Sequence, residues 1–273
     1  MRIALAALSS SLLFGACQTA PPENAPAEST VEPTMDAPLS TPDHQGPDAE
    51  RLAKGIVFFA TGNEPFWSFE VVPGQALRFV PMSGEPMNTP YVEPEELKNP
   101  RGWKYHAEVE SGILDVEVIL ETCIDDMSEA QSPYRVVATV RGKSYRGCGH
   151  FTADSRVFAN AWKLASINGD DWSGKTGLRP FSLQWDPAKA LISGQDGCNN
   201  FFGPGEVRGT QALIGPNLGS TMMACPDMAS PKRYLDALTQ GGAFGVGFDG
   251  DQLVLKNDSS ELIFSAHTPE EPK

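Results

Sequence analysis

No run of lysine or arginine occurs anywhere in the chain, and its 21 basic side chains stand against 35 acidic ones for a formal charge of −14 over 273 residues. A surface that follows a phosphate backbone needs clustered cations, so nucleic acid is excluded as a partner. Histidine is scarce too. His44, His106, His150 and His267 make up the full set, and no C-x-x-C or H-x-x-x-H spacing exists to seat a metal. There is no G-x-S-x-G nucleophile elbow. One letter match to G-x-G-x-x-G, at residues 245–250, follows a helical segment and precedes a strand, the reverse of a dinucleotide-binding turn. The apolar stretch 3–14 is broken by Ser9, Ser10 and Ser11 and is too short to span a bilayer. What the chain has in quantity is loop-forming residue, with Gly 26 and Pro 23, which argues against an all-helical fold.

The first residues carry one charge, Arg2, then the short apolar stretch, then small residues before Cys17, the pattern of a secretory signal at 1–16. Leu13-Phe14-Gly15-Ala16-Cys17 resembles the bacterial lipoprotein box, with Phe14 where that box usually has Leu. The resemblance implies a lipid on Cys17 and a membrane partner through that anchor. Gln18 rather than Asp after the Cys implies the outer membrane, on the periplasmic side. Residues 18–50 hold seven Pro, seven Asp or Glu, no Lys or Arg and no aromatic residue. Such a segment cannot bury enough apolar surface to offset its ordering entropy. The stretch 17–50 is therefore expected to be a disordered tether, with an end-to-end distance of about 30 Å as a flexible coil.

Besides Cys17 there are four cysteines, Cys123, Cys148, Cys198 and Cys225, an even number in a compartment that oxidises thiols. Three pairings are open. Since two fall in each half of the folded part, Cys123 with Cys148 and Cys198 with Cys225 is the economical choice. A metal site at Cys148-Gly149-His150 is the rival, without spaced ligands to complete it.

Residues 51–154 alternate with period two. Leu114, Val116, Val118 and Leu120 oppose Asp115 and Glu117, and Tyr134, Val136, Ala138 and Val140 oppose Arg135, Thr139 and Arg141. Further strands are predicted at 56–61, 66–72, 76–80 and 103–110, which together make an antiparallel, curled sheet. Gly62-Asn63-Glu64-Pro65-Phe66-Trp67, Cys123-Ile124-Asp125-Asp126-Met127-Ser128 and Tyr145-Arg146-Gly147-Cys148-Gly149 resemble an uncharacterised family of bacterial envelope domains, which implies no particular activity. Phe66 or Trp67 is expected to cap one end of the core. Asp125 and Asp126 are expected to start a solvated turn.

In residues 155–268 strands are predicted at 162–167, 181–185, 190–194, 212–214, 244–248, 252–256 and 261–265, with one helix at 231–240 capped by Ser230. Trp162-Lys163-Leu164, the run from Ser193 through Gly197-Cys198-Asn199-Asn200-Phe201-Phe202-Gly203, and Thr221-Met222-Met223-Ala224-Cys225-Pro226 resemble a META domain of the HslJ-like kind. That resemblance implies a small antiparallel barrel and a place among envelope lipoproteins linked with heat induction and novobiocin resistance. The fold class expected for the whole is mainly β, two antiparallel curled-sheet or barrel-like domains, the second with one closing helix, and residues 269–273 as a tail.

For function these observations predict no catalytic, cofactor-binding or metal residues, and hence no enzyme and no cofactor. The assigned residues are Cys17 for lipidation and Cys123, Cys148, Cys198 and Cys225 for disulfides. The chain is expected to serve envelope stress tolerance, with an apolar ligand or an envelope protein as partner. Two catalytic alternatives exist on paper: carboxylate chemistry through Glu64, Asp125 or Asp196, and a Cys198 nucleophile helped by His267 and Asn199. A ligand is expected where the helix 231–240 covers the sheet, and a carrier of lipid tails would show an apolar cavity inside the barrel. Trp162, Phe181, Trp185, Leu191, Phe201, Phe202, Leu235 and Phe264 are expected to supply the core.

Overall fold

A computed structural model describes residues 44–175 and 177–267. Cys17, the signal, most of the tether and the tail lie outside the described residues. Thr41–Lys273 forms one compact unit. Among the described residues no helix is long and apolar enough to cross a membrane.

After α1 (Ala49–Ala53) the first half runs β1 (Phe58–Asn63), β2 (Phe66–Val72), β3 (Ala76–Pro81), β4 (Met87–Pro90), β5 (Glu95–Lys98), β6 (Arg101–Val109), β7 (Gly112–Ile124), β8 (Gln131–Val140) and β9 (Lys143–Phe151). They form one sheet curled into a half-barrel, in the order β4-β3-β2-β1-β9-β8-β7-β6-β5. The alternation decides which face is dry: Leu114, Val116 and Val118 are buried against Phe58, Phe69 and Phe79 from the opposite side of the curl. Trp67 is buried and stacks on Phe79, its indole N–H donating to the Arg146 carbonyl, whereas Phe66 points out. The Cys123–Cys148 disulfide joins β7 and β9, the two strands flanking β8. Strand β9 was not expected, because two glycines interrupt its alternation. Gly149 is needed there, since a Cβ would sit 2.6 Å from the Phe58 ring.

The second half begins with α2 (Arg156–Ala159) and continues β10 (Ala161–Ile167), β11 (Asp170–Asp171), β12 (Phe181–Asp186), β13 (Leu191–Asp196), β14 (Asn200–Arg208), β15 (Gln211–Ile214), β16 (Gly219–Ser220), α3 (Ala229–Thr239), β17 (Phe244–Asp249), β18 (Gln252–Lys256) and β19 (Glu261–His267). Eight of these close a barrel, β10-β12-β13-β14-β15-β17-β18-β19, with β19 pairing back onto β10. Strand β11 extends β10, and β16 pairs with β14. The interior is filled by Trp162, Phe181, Trp185, Phe201 and Phe264, and by Tyr234 of α3, whose ring lies 5.8 Å from Phe181 and 6.0 Å from Phe201.

Several expectations are corrected here. Strand β14 is not among the predicted strands, and Gly203-Pro204-Gly205 lies within it. As a strand it alternates, so Phe201 is buried while Phe202 is exposed, and Leu191 is exposed as well. Ser230 is not the helix cap. Asp227 is, its carboxylate accepting the backbone N–H groups of Ala229 and Ser230. The end of the expected tether is ordered. Gln45 donates its N–H to Asp154, Asp48 pairs with His150 at 3.1 Å and with Arg51 at 2.9 Å, and α1 starts at Ala49.

The halves are joined by backbone and side chain alike. Ala153 bridges Gly209, whose N–H donates to the Thr152 carbonyl. Thr152, itself buried, donates its hydroxyl to the Ile56 carbonyl at 2.6 Å. The Arg208 guanidinium lies over the rings of Phe151 and Trp103, at 4.3 and 4.5 Å, and donates to Glu206, which also accepts from the Tyr134 hydroxyl.

Candidate functional site

Strand β13 ends at Asp196, a buried carboxylate that accepts the backbone N–H groups of Cys198 and Asn199. Gly197 makes this tight turn at φ +89, and a Cβ there would meet the Phe181 ring. The turn aims Asn199 at the loop before α3. Its side-chain oxygen accepts from the Thr221 hydroxyl at 2.9 Å and the Met223 N–H at 2.7 Å, and its amide donates to the Met223 carbonyl at 3.4 Å. Two residues on, Cys225 is bonded to Cys198. Asp227 then starts α3, and the Ser230 hydroxyl and backbone hold its carboxyl below the usual carboxylate range. The loop is thus fixed by an amide, a disulfide and a cap within seven residues.

Between this loop and α3 runs a groove of about 530 Å³, walled by Met222, Met223, Met228, Pro231 and Leu235, with Lys232 and Asp236 at its edge. Met222 is 98% exposed, and Met223 and Met228 are exposed as well. Beyond Pro231 a second groove of about 440 Å³ is lined by Leu178, Phe181 and Pro226 beside Lys175. Methionine is unbranched and polarisable, so a surface made of it adapts to apolar guests of differing shape. The helix expected to mark a ligand site does flank the two grooves. Met222 and Met223 enter the sequence analysis only as family landmarks and Met228 not at all, although three apolar side chains in a loop of polar and small residues are the available signal.

The residues considered for catalysis are committed elsewhere. Cys198 is in a disulfide, and Asn199 uses its amide on the loop. His267 ends β19 opposite Ala161. Asp125 accepts from Met127, Ser128 and Asn63, forming the expected turn, and the Ser128 backbone above all holds its carboxyl below the ordinary range. Glu64 is exposed in the turn between β1 and β2, in the other half from Asp196. Among the described residues no three His, Cys, Asp or Glu are grouped to hold a metal.

The META domain family model matches residues 155–269, so the barrel half is similar to META domains. No curated protein and no solved structure matches the chain.

Proposed function

We propose, from a second half similar to META domains, that the chain is a lipid-anchored, non-catalytic binding protein of the bacterial envelope that takes an apolar ligand in the methionine groove beside α3. The observation that carries this reading is the contrast between inside and outside. The barrel interior is occupied by its own rings, Trp162, Phe181, Phe201, Tyr234 and Phe264, which argues against a lipid tail held inside it. Met222, Met223 and Met228 stand outside that core around one groove. Two disulfides suit an oxidising compartment, and the lipobox-like residues before Cys17 supply the anchor. A role in envelope stress tolerance is part of the same proposal and rests on the resemblance of the second half to META domains of the HslJ-like kind.

The groove is tested with the chain labelled at its methionine methyls and titrated with fatty acids and phospholipids. Shifts confined to Met222, Met223 and Met228 are expected; no shift at millimolar ligand refutes the reading. The anchor is tested separately, by palmitate labelling in cells. Cys17→Ser abolishes the label and leaves the precursor unprocessed; a label that survives the substitution rules out the anchor.

A further inference from the structure

Methionine is unevenly exposed in this chain. Met87 is fully buried in the first half, whereas Met222 is 98% exposed and Met223 and Met228 are 40% and 48% exposed on one loop. These three side chains wall the groove beside α3, where Pro231 and Leu235 complete the apolar lining. Met82 and Met127 are exposed too, but they belong to the first half and do not line the groove. A small oxidant has only to touch a thioether sulfur to react with it, so the loop methionines are open to attack and Met87 is shielded.

The reaction is an oxygen transfer. With hydrogen peroxide, the sulfur lone pair attacks one peroxide oxygen, the S–O bond forms as the O–O bond breaks, and the proton on the transferred oxygen passes to the departing hydroxide, which leaves as water. Sulfur is oxidised by two electrons and the peroxide is reduced. The product is a sulfoxide, a polar hydrogen-bond acceptor on a side chain that was apolar. Set against an apolar guest, that oxygen loses its water without gaining a donor.

The fold is insulated from the change. The loop is held by the Asn199 amide, the Cys198–Cys225 disulfide and the Asp227 cap, none of which is a thioether. Met228 has one structural duty, since its sulfur accepts the Cys225 N–H at 3.4 Å, and a sulfoxide oxygen also accepts such a bond. Oxidation therefore acts on the wall of the groove. We propose that Met222, Met223 and Met228 form a methionine-oxidation site, at which hydroperoxides make sulfoxides that turn away the apolar ligand of the α3 groove. Such control presupposes the groove as the ligand site proposed above. Sulfoxide reductases reverse the modification and restore the groove.

The purified protein is titrated with decanoate before and after limited treatment with hydrogen peroxide, and peptide mass spectrometry follows each methionine. Met222, Met223 and Met228 are expected to gain oxygen while Met87 does not, with the urea midpoint unchanged. Decanoate affinity is expected to fall about tenfold or more, the scale of one polar group desolvated without a partner. Treatment with methionine sulfoxide reductases of both stereospecificities is expected to restore it. The triple variant Met222→Leu, Met223→Leu, Met228→Leu keeps an apolar wall, binds decanoate and ignores peroxide, whereas Met82→Leu with Met127→Leu responds as the parent does. Undiminished affinity after oxidation, a triple variant that still loses affinity to peroxide, oxidation of Met87 ahead of the loop, or a loss of affinity that tracks unfolding overturns the proposal and leaves the groove as a ligand site. Absence of decanoate binding before peroxide refutes the groove itself and the proposal with it.

Discussion

Asn199 spends its entire side-chain amide on one loop, and Met223 depends on it for both backbone groups. Asn199→Ala leaves the Met223 N–H without its acceptor and is expected to destabilise the chain by about 1–3 kcal/mol. Urea midpoints measure the loss, and amide exchange locates it. Exchange at Met223 that matches the parent would show that the amide does not hold the loop. Asp48 supplies a pH-dependent case. Burial opposes its charge, but the His150 and Arg51 hydrogen bonds and charges outweigh burial and hold its carboxyl below the ordinary value. A depressed folded value means that the contribution is present above the unfolded carboxylate range and is lost as pH falls through the folded value. Asp48→Asn is therefore expected to lower the urea midpoint at pH 6, with the gap to the parent closing at lower pH as the parent carboxyl is protonated. A gap of constant size down to pH 2 would refute this. At this scale the sequence was legible where chemistry allows few options, as at the four cysteines. It was not legible at Asp48 or Asp227, whose partners depend on where the chain passes.

Strand β14 is one of several strands that the local pattern did not reveal. Its Gly203-Pro204-Gly205 centre breaks every local rule for a strand, yet it pairs with β13 along one edge and with β15 and β16 along the other. Gly205 is tolerated because Ile192 occupies the space a Cβ would need, with its nearest atom at 2.3 Å. Helix α3 was expected, because Tyr234, Leu235 and Leu238 share a face, but its start depends on Asp227. Asp227→Ala is expected to fray the first turn while Tyr234 stays packed. Amide exchange rising at Ala229 and Ser230 and unchanged at Leu238 checks this; uniform protection would remove Asp227 from the role. The Cys198–Cys225 bond acts on the same loop across a separation of 27 residues. Replacing both with Ser is expected to destabilise the chain by about 3.5 kcal/mol in the chain-entropy picture. Thermal unfolding measures the loss, and an unchanged Tm would mean that the loop is held by Asn199 and Asp227 alone.

Across the whole molecule the two sheets unfold as one or as two depending on the seam. Arg208 of the barrel reaches the first half, stacked on Phe151 and Trp103 and paired to Glu206. Arg208→Ala removes the stacking and leaves Glu206 with the Tyr134 hydroxyl, a combined loss of about 2 kcal/mol. Calorimetry is expected to show one transition for the parent and a broadened or split one for the variant. A single sharp transition in both would place the coupling in the Ala153–Gly209 bridge.

What the sequence determined by itself is what short-range chemistry controls. Period-two alternation made the fold β, the cysteine count with two in each half made the disulfides, and the apolar stripe at 234–238 made the helix. The tertiary structure decided closure and contact. Nothing in β14 read alone marks it as a strand, because its justification is the close approach of Ile192 and the pairing of neighbours far along the chain. The Asp48–His150 pair likewise joins residues 102 apart, and the Asn199 amide reaches the methionine loop at Met223 from 24 residues away. Periodicity reports which face of an element is dry, whereas a site of this kind exists only once two dry faces have met.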